Sequence, residues 1–153
     1  MDARNVKQLN TDVLAYMGDA VFEVFIRELM LEEGRLRANS LHRSTTLYVN
    51  AHAQADAVRG MMEELTEEER RIVMRARNHK LTSRAKHADP RTYKWATGFE
   101  ALVGHLFLTG EEARLAWVMN RAVEIIDGKK IQEKERNHEQ DKGLDNRLLP
   151  DRT

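Results

Sequence analysis

Apolar positions in the first part of the chain return every three or four residues: Val13, Met17, Val21, Val24, Phe25 and Leu29, all between Thr11 and Glu33. That interval is the repeat of one helix face turned toward a core. Asn10 is placed to cap this helix and Gly34 to end it. A second helical stretch is predicted from Ser40 to about Leu65, with Asn39 or Ser40 as its cap. Thr66-Glu67-Glu68-Glu69 has the order of a capping box with acids in the first turn, where the helix dipole favours them. The third helix therefore starts there and runs through Ile72, Val73 and Met74 to about Asn78. Residues 79–90 lose the periodicity and end in Asp89-Pro90, an N-cap followed by a first-turn proline. The next helix runs through Leu108 to a stop at Gly110, and the last from about Glu111 to Ile126, with Gly128 closing it. No stretch alternates with period two, so no strand is predicted. The fold class is all-α, with helices packed around one core.

At 153 residues the chain suits one domain. We assign residues 1–127 to that domain and 128–153 to a charged tail. Thirteen of those final 26 residues are charged, too few apolar groups remain to offset ordering, and the tail is expected to be mobile, with at most a helical start. It is also too short to be a folded RNA-binding domain. There is no cysteine, which excludes disulfides, thiolate metal sites and cysteine nucleophiles. No basic stretch followed by an apolar run opens the chain, and no segment approaches about 18 uninterrupted apolar residues. The expected location is cytoplasmic.

A formal net charge of zero conceals an uneven distribution. Residues 1–69 carry 7 Lys/Arg against 13 Asp/Glu, whereas residues 70–94 carry 9 against the single acid Asp89. One basic segment thus interrupts an acidic domain, and local excess matters more than the total for holding a polyanion. By itself the segment also fits a solvated helix face followed by a loop.

Two carboxylates stand out by their neighbours. Asp19 lies between Gly18 and Ala20, and Glu100 lies on the most apolar helix of the chain, flanked by Gly98 and Gly104. A glycine inside a helix costs up to about 1 kcal/mol relative to alanine, so its presence points to a close approach. A solvated acidic stripe would explain Asp12, Asp19 and Glu23, and a core ion pair with an arginine or His105 would explain Glu100. Taken together, two glycine-flanked acids on helices that pack suit a divalent-metal site, and few protein ligands favour magnesium.

"YMGDAVFE" resembles the signature helix of the ribonuclease III family, and "TGFEALVGHLFL" its second catalytic helix. The resemblance covers about residues 8–127. "RARNHK" at 75–80 and "TYKWATGFEAL" at 92–102 are similar to the Mini-ribonuclease III branch, which has the catalytic domain without an appended double-stranded RNA-binding domain. The resemblance implies that Asp19 and Glu100 are the catalytic, magnesium-binding acids. It also implies that the chain is a homodimer through its signature helix, with Tyr16 in the interface. The substrate implied is double-stranded RNA, specifically the paired ends of precursor 23S ribosomal RNA, with a large-subunit ribosomal protein as a further candidate partner. Arg75, Arg77, Asn78, Lys80, Arg84, Lys86 and Lys94 are then the candidate RNA contacts. Larger family members carry acids where this chain has Ala15 and Thr97, and Asp12 stands where they have a further acid.

Two other classes stay open on sequence. The missing acids at Ala15 and Thr97 allow a catalytically silent RNA- or ribosome-binding module. Glu63-Glu64 with Glu67-Glu68-Glu69 allows an all-α, magnesium-dependent nucleotide pyrophosphatase, although capping explains most of that run. The six histidines show no ligand spacing.

Overall fold

The computed structural model describes residues 1–79 and 89–145. Helix α6 (Pro90–Leu108) forms the axis of the domain, and α2 (Thr11–Glu32), α4 (Ala51–Met61), α5 (Glu67–Asn78) and α7 (Glu112–Asp145) pack around it. Asp89 starts α6 as predicted: Oδ1 accepts from the backbone N–H groups of Arg91 and Thr92, with Pro90 in the first turn. From Ala96 to Leu106 nearly every residue of α6 is buried, because helices close on it from several sides.

The main core joins Phe22, Ile26 and Met30 of α2 to Val58 and Met61 of α4, Val73 of α5, Phe99 and Leu102 of α6, and Val118 of α7. Phe22 meets Phe99 edge to face, with ring centroids 4.9 Å apart, a favoured aromatic geometry. A smaller cluster of Val6, Leu14, Ala15, Ala76 and Ala101 sits beside it. The short helix α1 (Ala3–Lys7), which periodicity does not reveal, delivers Val6 to that cluster.

Several expected boundaries shift for identifiable reasons. The buried stripe of α2 is Leu14, Ala15, Gly18, Phe22, Ile26 and Met30, whereas Val13 and Val24 are exposed. This helix is apolar on two faces, and spacing alone cannot say which one meets its own core. The stretch expected as one helix from Ser40 is two, α3 (Ala38–Val49) and α4, divided at Asn50. Asn50 Nδ2 donates to the carbonyls of Thr46 and Leu47 while its Oδ1 accepts from Ala53 N–H. One side chain therefore closes a helix and opens the next. Asn50→Ala should lose both ends and lower stability by about 1–2 kcal/mol, read from urea unfolding. Neither Asn39 nor Ser40 caps α3; Arg37 holds that position without a side-chain bond.

Gly34 and Gly110 end α2 and α6 with left-handed backbones, φ +81° and +75°. Gly128 does not end α7, which continues as helix to Asp145 in place of the expected stop. The residues after it are mostly strong helix formers, and Lys129 reaches Asp56 of α4 at 3.0 Å. Among the described residues there is no strand, and no helix is long and apolar enough to cross a membrane.

Candidate active site

Where α2 crosses α6, the two backbones touch. A Cβ on Gly18 would overlap the carbonyl of Glu100, and one on Gly104 would overlap the carbonyl of Leu14. Gly98 serves a different contact, resting on Val73 of α5. Gly18 and Gly104 thus mark the crossing itself, as their helix-weakening cost suggested.

Asp19 and Glu100 are brought together by this crossing. Partial burial, then the charge of Glu23, raises the Asp19 carboxyl above its ordinary range. Burial pushes Glu100 up further, to about 8, with the Asp19 charge as the second cause. Neither acid forms an ion pair with a lysine, arginine or histidine among the described residues. The pairing of Glu100 with His105 that sequence left open is therefore not made. The His105 imidazole is itself held below its usual value, chiefly by burial. Near neutral pH the metal-free pair retains a proton on Glu100. Two repelling carboxylates with no cation paired to them among the described residues are a donor set that a hard divalent ion can neutralise through oxygen.

The positions where larger relatives carry acids are closed. Ala15 is buried in the small cluster, and buried Thr97 donates its Oγ1–H to the Tyr93 carbonyl at 2.9 Å. Asp12 lies on the first turn of α2, with its carboxylate 3.6 Å from His79 Nε2.

Three of the five acids in the run offered as a rival site, Glu64, Glu67 and Glu69, are engaged elsewhere. Glu69 completes the capping box with Thr66 and receives Arg114 at 2.9 Å. Burial alone would raise its pKa, but the Arg114 hydrogen bonds and the Thr66 backbone outweigh this and hold it low. Glu64 pairs with Arg121 at 3.0 Å and Glu67 with Arg71 at 3.6 Å. Among the described residues no three His, Asp or Glu side chains are grouped to hold a metal.

The candidate RNA contacts are dispersed. Arg75 Nη2 donates to the Leu9 carbonyl, and the Arg77 guanidinium lies 4.7 Å from the Trp95 ring centroid while Nη1 donates to Asn78 Oδ1. Asn78 and Lys94 are exposed. Lys80, Arg84 and Lys86 lie outside the described residues. Tyr16 is 78% exposed on α2, beside Val13 and Val24 at 41% and 64%. Sequence reading passes over Arg59 and Trp95, whose contact joins α4 to α6 across 36 residues. No motif carries it; only the packing does.

The Ribonuclease III domain family matches residues 12–111. The chain is 48% identical to Mini-ribonuclease 3 of Symbiobacterium thermophilum over 114 residues, covering 74% of this chain and 88% of that one. It is 46% identical to Mini-ribonuclease 3 of Enterococcus faecalis over 125 residues, covering 80% and 95%. A crystal structure of a Fusobacterium nucleatum protein superposes with a TM-score of 0.69 at 28% identity, covering 78% of this chain and 96% of that one.

Proposed function

This chain belongs to the ribonuclease III family and is an endoribonuclease of that type, and from that premise we propose that it cuts double-stranded RNA with magnesium held by Asp19 and Glu100. The observation that carries the reading is the crossing at Gly18 and Gly104, which brings two carboxylates together with no cation paired to them among the described residues. A bound magnesium ion would supply Lewis acidity toward the phosphodiester and lower the pKa of a water. The chain's own part is positional and electrostatic. Asp19 and Glu100 would hold the ion directly or through water, with Glu100 in its deprotonated form. Ala15 and Thr97 add no charge, so the remaining ligands are waters.

The active form is a homodimer through α2. Val13, Tyr16 and Val24 form an exposed apolar stripe along that helix, and such a stripe is what a second copy would cover. Asp19 lies on the same helix, so pairing through the stripe draws two acidic sites toward one another, one for each strand. Duplex RNA is recognised by shape and backbone rather than through its deep major groove, which suits a basic segment at residues 70–94. We extend the proposal to the terminal stem of precursor 23S ribosomal RNA as substrate, with a large-subunit ribosomal protein as a helper.

The test is direct. With a long RNA duplex, the purified protein should cut only when magnesium is present, and Asp19→Asn and Glu100→Gln should each lose cutting by at least about 100-fold while still binding the duplex. Binding with no cutting in the unmodified protein would overturn the reading in favour of a silent module.

A further inference from the structure

Trp95, near the start of α6, is approached by two guanidinium groups. Arg77 of α5 stands 4.7 Å and Arg59 of α4 5.7 Å from its ring centroid, both within cation–π reach. Neither arginine has a carboxylate within ion-pair distance among the described residues. Residues 80–88, Lys-Leu-Thr-Ser-Arg-Ala-Lys-His-Ala, follow α5 and contain no acid at all. Among the described residues, Arg77 Nε and Trp95 Nε1 are both buried and without a hydrogen-bond partner. Arginine and the indole N–H are donors only, so what this cluster lacks is an acceptor bearing negative charge. Arg77 donates one N–H to the neutral Asn78 Oδ1, so its partly buried charge stays uncompensated among the described residues, which is costly. Its retention beside a second guanidinium is explained by an anion that arrives from outside.

We propose that Arg59, Trp95 and Arg77 form a phosphodiester-binding cradle for the RNA backbone. Trp95 precedes Glu100 by five residues on the same helix, about 7.5 Å along its axis. Five residues also turn the helix by about 140°, so Trp95 meets α4 and α5 while Glu100 meets α2. A backbone held there grips α6 on a different side from the acids. The indole acts as a shared platform for the two guanidinium groups, and the contact reads no base. Arg59 is the member that sequence gives no reason to choose. It is exposed, and among the described residues it makes no side-chain hydrogen bond or ion pair, only the contact with Trp95, so it can be changed without disturbing the core. The inference rests on the nuclease reading above and adds a binding site to it.

The test uses the non-cleaving Glu100→Gln protein and a duplex RNA in a titration series from low to high salt. Adding Arg59→Gln should weaken binding about 3- to 10-fold and lower the slope of log affinity against log salt by about one, as the loss of one phosphate contact does. Arg59→Lys should recover the slope, and Arg43→Gln, an exposed arginine on α3, should leave both unchanged. Independently, Trp117→Phe leaves Trp95 as the only tryptophan, and its emission should change as duplex is added. Unchanged affinity and slope in Arg59→Gln, or a Trp95 emission indifferent to RNA, overturns the cradle. If that happens while the unmodified protein still cuts duplex with magnesium, the nuclease reading stands. If the unmodified protein does not cut, the reading beneath it has failed first.

Discussion

Gly104→Ala and Gly18→Ala should each destabilise the domain by upwards of about 4 kcal/mol, or prevent folding altogether, because the added methyl would occupy the space of a backbone carbonyl on the facing helix. A core side chain can rotate away from an intruding methyl; a carbonyl in a helix cannot without moving the helix. The change would therefore push α2 off α6 and separate Asp19 from Glu100. Gly128→Ala is the control with opposite sign. That glycine is helical, nothing lies within 4 Å of where its Cβ would stand, and alanine should stabilise by about 0.5–1 kcal/mol. Urea unfolding of the three variants checks the set. A mild loss at Gly104, comparable with an ordinary surface change, would mean that the helices are not in backbone contact.

Glu100→Gln should make the metal-free protein more stable at pH 9 while abolishing its activity. Glu100 keeps its proton to about pH 8 in the folded chain, against an ordinary value near 4.3 when unfolded. A carboxyl whose folded pKa is raised contributes fully below its unfolded value and loses that contribution as pH rises through the folded one. Stability of the unmodified protein should thus fall between about pH 4 and pH 8, with Asp19 adding in the same direction. Glutamine has nothing to ionise, so the variant should gain about 2 kcal/mol over the parent at pH 9, roughly 4–8 °C in Tm, with the gap closing toward pH 4. Full conversion of the shift would give more, but the side chain keeps a partly exposed edge. Magnesium should reverse the order, stabilising the parent and not the variant, since only the parent offers both carboxylates. Thermal melts across pH, with chelator and with magnesium, read all of this. A parent no less stable at pH 9 than at pH 5 would show that the pair is not strained.

The helices and most of their ends are legible in the sequence because their signals are local. Asn10, the Thr66–Glu69 box and Asp89-Pro90 act within a turn of themselves, and each caps where expected. The two acids were also legible, through glycines that harm their own helices and are explained only by a neighbour. What escapes is whatever depends on a second surface. Val13 and Val24 have the spacing of core residues but face outward, since α2 has two apolar sides. Asn50 breaks a helix through three bonds that no periodicity encodes. Arg75 and Arg77 look like free cations in a basic run, yet one donates to the Leu9 carbonyl and the other lies on Trp95. Gly128 resembles Gly34 and Gly110 as a letter, but its backbone stays helical.

Contact between α2 and α6 through glycine has a consequence for how this enzyme can change. In most helix pairs the spacing depends on the side chains wedged between them, so each core substitution reopens the distance. Here peptide units set the gauge between the two acids, as sleepers fix a pair of rails. The interior around Phe22, Phe99 and Met61 can be re-lettered by drift or by design, and the spacing of Asp19 and Glu100 will not follow it. A laboratory seeking a hardier variant has a wide field in that core and two positions, Gly18 and Gly104, to leave alone.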